Sequence, residues 1–185
     1  MFGLTKKPLT TDKEVILRAL DRRKGALGRR LENEGHFPNV EEIAKILGSR
    51  RLRVYLGIDP TGPDIHLGHT IPLLFLKQLW FLGHTPVIVI GDFTARIGDP
   101  TGKDAMRRPL TLDQIFANEK NYIKQIYKIL PRGSFEIHHN ADWLDKLSFK
   151  DVVRLASNVT VQQLIQREMF QRRLENNQPI GLHEF

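Results

Sequence analysis

Cysteine is missing from the chain altogether. That excludes disulfides, thiolate-bound zinc, iron–sulfur clusters and cysteine nucleophiles at once, so any chemistry must draw on His, Asp, Lys, Arg or backbone groups. Also missing is an apolar run approaching the roughly 18 residues of a membrane span. The opening Met-Phe-Gly-Leu-Thr-Lys-Lys has no long apolar core of the kind a secretion signal carries. The expectation is a cytoplasmic chain. No internal repeat or low-complexity linker divides it. What remains is 185 residues, 41% hydrophobic and 26% charged, enough for one globular domain with a proper core. A formal charge of +7 and a pI near 9.8 favour an anionic partner, whether nucleic acid, nucleotide or acidic membrane face. An ordinary solvated surface gives the same charge, so local motifs must decide.

Residues 1–50 read as a helical preface. Thr11 with Glu14 fits a capping box, and Val15, Ile16, Ala19 and Leu20 supply an apolar face before the basic run Asp21-Arg22-Arg23-Lys24, a solvated helix end. Asn39 caps a second helix with Val40, Ile43, Ala44 and Leu47 on one face, and Gly48 stands where a helix C-terminus favours glycine. Residues 51–185 have a different character. Leu52, Val54, Leu56 and Ile58 alternate as in a strand that ends in the turn Asp59-Pro60-Thr61-Gly62-Pro63. His66 to Leu82 is apolar at helical spacing and closed by Gly83, and Pro86 to Gly91 has the continuous apolar look of a buried parallel strand. Thr111 with Gln114 caps a further long helix to about Leu130, Phe135 and Ile137 mark another strand, and short helices follow from about Ser148. Strands alternating with helices predict an α/β fold, a Rossmann-like doubly wound parallel sheet whose ligand crevice lies at the carboxyl ends of the strands.

Two segments fall at those ends. In Gly57-Ile58-Asp59-Pro60-Thr61-Gly62-Pro63-Asp64-Ile65-His66-Leu67-Gly68-His69 a strand hands over to a helix whose first turn brings free backbone N–H groups and two imidazoles to where a polyphosphate can lie. Gly68, with no side chain, lets a flat base approach the helix. The segment is neither a Walker A loop nor a Gly-x-Gly-x-x-Gly fingerprint. The second segment is Gly91-Asp92-Phe93-Thr94-Ala95-Arg96-Ile97-Gly98-Asp99-Pro100-Thr101-Gly102-Lys103. His138 and His139 are adjacent on a strand, hence on opposite faces, which disfavours a shared metal. His183-Glu184 begins like a zinc-protease helix without its second His, and is taken as structural.

The first segment resembles the opening signature of class I aminoacyl-tRNA synthetases, and in detail that of the tyrosyl family. Tryptophanyl relatives usually read Gln where Asp59 stands and Asn where His69 stands. The second segment resembles the tyrosyl family's loop after its second strand. Similarity continues through Arg107, the Asn140-Ala141-Asp142-Trp143-Leu144 stretch and Asn177 to Phe185, whereas residues before Leu52 match less distinctly. The resemblance implies activation of tyrosine by ATP, taken as its Mg2+ complex with no protein-bound metal, and transfer of tyrosine to tRNA(Tyr). Carried over by position, His66 and Thr61 hold the β- and γ-phosphates, His69 the phosphate–ribose end, and Gly68 underlies adenine. Gly57 and Asp59 shape the pocket floor, Asp99 receives the substrate ammonium, and Lys103 and Arg107 meet the departing pyrophosphate. Tyr55 matches a position that contacts the substrate phenol. It further implies a homodimer at full length, and that the pyrophosphate-side signature loop, the rest of the amino-acid pocket and the anticodon-reading domain lie beyond Phe185. The chain is then expected to be the inactive front part of a larger enzyme with an unpaired strand edge. Two other readings stay open: a small nucleotidyltransferase with the same His-x-Gly-His helix start, and a non-catalytic paralogue that binds nucleotide or RNA.

Overall fold

The structure is a computed structural model that describes residues 4–20, 39–97 and 110–184. The basic run Asp21-Arg22-Arg23-Lys24 lies outside the described residues.

Three parallel strands form the sheet: β1 (Arg53–Ile58), β2 (Thr85–Ile90) and β3 (Glu136–His139), in that spatial order. Parallel neighbours cannot be joined by a hairpin, so helices cross between them. Helix α3 (Leu67–Phe81) links β1 to β2, and the short α4 (Thr94–Ile97) and the long α5 (Leu112–Ile126) lie between β2 and β3 in the chain. The register sets Val54 beside Pro86, Leu56 beside Ile88 and Ile58 beside Ile90, with Ile137 beside Ile88. Those residues share one face, and Ile58, Ile88 and Ile90 are buried with Leu73, Leu76 and Leu79 of α3 and Tyr122 and Ile126 of α5. The alternation in β1 is therefore a one-sided strand. Its other face presents Arg53, Tyr55 and Gly57, all exposed. Among the described residues β1 pairs with β2 alone.

The N-terminal helices join the same core. Ile16 and Leu20 of α1 (Lys13–Leu20) and Ala44 and Leu47 of α2 (Val40–Ser49) belong to the buried cluster that contains the sheet residues. Val15, read as part of the apolar face, is exposed, and Leu17 packs on the core in its place. The cap of α1 also differs from the expected Thr11–Glu14 box: Asp12 Oδ1 accepts from the N–H groups of Glu14 (2.9 Å) and Val15 (3.3 Å). A carboxylate is the stronger acceptor, and it also favours the positive helix start. Asn39 caps α2 as expected, accepting from the Glu42 N–H at 2.9 Å. Gly48, however, is inside the last turn of α2, not beyond it. A Cβ there would stand 3.3 Å from Ile16 Cδ1, so glycine permits the close approach of α1 to α2.

Capping by Thr111 and Gln114 holds, with Gln114 N–H to Thr111 Oγ1 at 3.3 Å and Thr111 N–H to Gln114 Oε1 at 3.0 Å. The helix ends at Ile126, and turns carry the chain to Leu130. Beyond β3 come short helices α6 (Ala141–Leu144), α7 (Phe149–Ala156), α8 (Val161–Ile165) and α9 (Glu168–Glu175), then a 3-10 turn at Leu182–Glu184. Phe149, Val152, Val153, Leu155 and Val161 are exposed on α7 and α8. Glu184 is paired with Arg173 and accepts from the Gly181 N–H at 2.7 Å, a structural role for that carboxylate.

At the amino ends of the strands the first residues run as a strap. Thr5 N–H donates to Gly133 O (2.7 Å), Thr10 N–H to Leu82 O (2.8 Å) and Trp80 Nε1 to Thr5 O (3.0 Å). Gly83 adopts φ +97°, and any Cβ there would overlap the Pro8 carbonyl, so both backbone and space demand glycine. Next to it His84 is buried, its Nδ1 accepting from the Leu52 N–H at 3.3 Å while Nε2 has no partner. Burial, with the nearby Arg51 charge, lowers the His84 pKa. The native chain thus holds His84 neutral where the unfolded chain binds a proton. Its contribution is complete above the unfolded value of about 6.5 and is lost as pH falls through the depressed native value. Urea unfolding at pH 7 and pH 5 should show that loss. In His84→Asn, which keeps an acceptor but does not titrate, the pH-dependent part should shrink; an equal slope in both proteins would refute the account.

Candidate functional site

The carboxyl ends of β1 and β2 and the start of α3 meet at one pole of the sheet. Three sequence-predicted residues, His66, Gly68 and His69, gather at the helix start. His66 caps α3 in an extended conformation, its N–H donating to His69 Nδ1 at 3.1 Å while the His69 N–H donates to His66 O at 2.9 Å. The two rings stack, centroids 3.9 Å apart at 28°. Because Nδ1 of His69 accepts, its proton resides on Nε2. Burial and the neighbouring His66 lower the His69 pKa, which keeps the ring a neutral Nε2–H donor. Gly68 lies directly beneath His66: a Cβ at position 68 would come within 2.8 Å of its ring. Thr61 stands earlier, in the turn after β1, its N–H bonded to Asp59 O at 2.8 Å.

Asp59 is anchored by residues that carry no individual role in the sequence reading. Thr94 Oγ1 donates to Asp59 Oδ1 at 2.8 Å and accepts from Asn140 Nδ2 at 3.0 Å. The Asn140 amide is fixed in turn, since its Oδ1 accepts from the Phe93 N–H at 2.8 Å and its own N–H donates to Ile90 O at 2.9 Å. Asp92 Oδ1 accepts from the N–H groups of Phe93 and Ala141, both at 3.0 Å, tying the end of β2 to the start of α6. A side chain on Gly91 would overlap Asp59 Oδ1 and Thr94 Oγ1, so this glycine admits the carboxylate to the strand end. Thr94 and Asn140 both stand in stretches singled out by sequence, but their mutual contact crosses the fold and leaves no spacing signal.

Tyr55 sits apart, 76% exposed on the sheet face turned away from the helices, and Gly57 shares that face with open space where a Cβ would be. Asp99, Lys103 and Arg107 lie outside the described residues. The two adjacent histidines diverge as alternation requires: His138 pairs with Glu136, which also binds Arg53, while His139 meets Glu119 at 2.8 Å. Burial opposes charge on His139, but the Glu119 hydrogen bond, with Glu119, Asp92 and Asp142 nearby, outweighs it and raises the pKa. Among the described residues no group of three His, Asp or Glu side chains is placed to hold a metal ion.

Parallel strands that end on a helix start lined by two imidazoles define a Rossmann-type half-sheet. The family model for class I tRNA synthetases (W and Y) matches residues 48–185, and the chain belongs to that family. It is 50% identical over 147 residues to a tyrosine–tRNA ligase of Carboxydothermus hydrogenoformans, covering 79% of this chain and 36% of that relative. With tyrosine–tRNA ligase 2 of Clostridium acetobutylicum it shares 53% over 135 residues, 73% of this chain and 34% of the other. The chain spans about a third of the length of these curated relatives. Among solved structures, a C-terminally truncated mitochondrial tyrosyl-tRNA synthetase of Aspergillus nidulans superposes with a TM-score of 0.69 at 21% identity, over 93% of this chain and 54% of that one. The tyrosyl-tRNA synthetase of Archaeoglobus fulgidus complexed with L-tyrosine gives 0.59 at 18%, over 94% and 48%. At those identities the likeness is one of fold.

The anchoring of Asp59 is open to test. Thr94→Val keeps shape but removes a donor to Asp59 and an acceptor for the buried Asn140 amide, a loss of about 1–3 kcal/mol. Urea unfolding of the variant should register it; unchanged stability would mean the hydroxyl bridges nothing.

Proposed function

We propose that the intact protein is a tyrosine–tRNA ligase and that this chain supplies its ATP-binding portion, with residues 51–185 as the first half of the catalytic domain and residues 1–50 as a preface bracing it. The observation that carries this reading is the stacked His66–His69 pair at the N-terminus of α3, beside an anchored Asp59. Family membership and relatives named as tyrosine–tRNA ligases support the choice of substrate.

The chemistry is a displacement at phosphorus. The tyrosine carboxylate attacks the α-phosphorus of ATP in line, and the bond to the β-phosphate oxygen breaks, releasing pyrophosphate and leaving tyrosyl-adenylate. The terminal ribose hydroxyl of tRNA(Tyr) then attacks the activated carbonyl and AMP departs. No protein nucleophile is needed, because phosphoryl-type transfer is carried by positioning and by donors aimed at developing charge. Mg2+ arrives as part of the ATP complex. In this reading His66, Thr61 and the first-turn N–H groups receive the β- and γ-phosphates, and His69 donates Nε2–H toward the phosphate–ribose end. Gly57 and Asp59 line the floor, Asp99 takes the substrate ammonium, Lys103 and Arg107 meet pyrophosphate, and Tyr55 approaches the phenol. Adenine against Gly68 and the observed His66 ring claim the same space. His66 therefore leaves its stack as ATP enters and turns toward the phosphates. A homodimer and a cytoplasmic setting complete the proposal.

Two experiments on the full-length enzyme decide it. His66→Ala and His69→Ala should each slow adenylate formation by roughly tenfold to a thousandfold, the scale of one lost transition-state donor, with less effect on tyrosine binding. Full activity in both would leave the pair a helix cap and nothing more. Asp99→Asn should weaken tyrosine steeply, by about 2 to 5 kcal/mol for a charge left unpaired in a pocket, and ATP much less. Equal weakening of both ligands would remove tyrosine from this site.

A further inference from the structure

Three amide side chains on α5 lie on one stripe of the helix, Asn118, Asn121 and Gln125, at spacings of i, i+3 and i+7. All three reach back to the turn that joins β1 to α3. Asn118 Nδ2 donates to Pro60 O at 2.9 Å. Asn121 Nδ2 donates to Pro63 O at 2.5 Å and to Asp64 Oδ1 at 2.9 Å. Gln125 uses both ends of its amide: Nε2 donates to Asp64 Oδ1, and Oε1 accepts from the Ile65 N–H at 2.9 Å. The turn itself is poor in donors, because Pro60 and Pro63 carry no N–H. Its internal bond runs from Thr61 N–H to Asp59 O. The docking of α5 is already achieved by Ile115, Tyr122 and Ile126, all buried, so the amides are not needed to hold the helix.

We infer that Asn118, Asn121 and Gln125 are positioning residues which keep the 60–65 turn in its ligand-receiving shape before nucleotide arrives and so set where His66 and His69 stand. The inference rests on the nucleotide reading given above. Ile65 is held by Gln125, and the next residue is His66, whose N–H is committed to His69. A turn left to itself would have to be ordered at the moment of binding, and that ordering cost is subtracted from affinity. Here the ordering is done in the free chain by a helix remote in sequence.

Gln125→Glu separates position from packing. It keeps an acceptor for the Ile65 N–H but replaces the donor facing Asp64 with a second carboxylate, and like charges at that separation repel. Adding Asp64→Asn restores an amide opposite a carboxylate with the roles exchanged. The full-length enzyme is followed by amide hydrogen exchange at Ile65 and His66, by calorimetric titration with MgATP, and by thermal unfolding. Gln125→Glu is expected to speed exchange at both amides and weaken MgATP about tenfold, the scale of a lost hydrogen bond to a charged group. The double variant should bring both back to within about threefold of the starting chain. Asn121→Ala should move both readouts in the same direction as Gln125→Glu. Unaltered exchange in Gln125→Glu overturns the positioning role, as does a double variant that melts like the starting chain yet does not recover. A full-length enzyme that is indifferent to MgATP overturns the nucleotide reading instead, and exchange at Ile65 still decides what α5 does to the turn.

Discussion

Parallel pairing of β1 with β2 is the constraint from which the rest of the molecule follows. Two strands running the same way need a crossover, and the crossover helix must start where β1 ends. Every group at the site inherits its place from that rule: Asp59 and Thr61 at the strand end, His66 and His69 on the first turn of α3, Gly91 and Thr94 at the equivalent end of the neighbouring strand. The buried Ile58, Ile88 and Ile90 register the two strands tightly enough that Gly91 meets Asp59 with no space for a methyl group between them. Packing thus sets the separation at which the polar groups bond.

The polar layer above that core is wired with few spare ends. Asn140 joins the end of β3 to β2 through the Phe93 N–H and to β1 through Thr94, so three successive strand ends share one chain of hydrogen bonds. The neutral His69 has its accepting nitrogen occupied by the His66 N–H, which leaves its single donor to point elsewhere. An anion binding there gains a fixed donor without paying for desolvation of an imidazolium.

Much of the fold could be read from the residues, for reasons that also explain what escaped. Val54, Leu56 and Ile58 alternate because β1 is covered on one side, and the run from Pro86 to Ile90 is continuous because Val87, on the second face of β2, is buried along with Ile88 and Ile90 on the first. The cap at Thr111 and Gln114 is local, and local chemistry shows in spacing. At the first helix two residues in succession were able to cap, and the carboxylate of Asp12 took the place expected for Thr11. Gly48 looked like a stop signal, but its reason is Ile16, on another helix. In the site, His66, Gly68 and His69 were legible because they share one turn. The Asp59–Thr94–Asn140 bridge was not, because its members come from three separate strand ends, and hydrogen bonds between distant segments have no period. The amides of α5 did have a helical period, but the turn they hold lies far back in the chain.

The strap across the amino ends of the strands carries a consequence for how the chain comes to be folded on the ribosome. Thr5 finds its partner at Gly133, and Thr10 and Trp80 close the same seam. Thr5, made well before Gly133, must wait until the chain approaching β3 has left the exit tunnel. Loop closure over that span costs entropy before any bond repays it. Pro8 and Leu9 can cover Gly83 once β2 is made, but until Gly133 arrives the Thr5 N–H lacks its partner, and a nascent β1–α3–β2 unit carries a seam that is only partly closed. The last stitch of this seam is therefore made with thread laid down before any of the strands it borders.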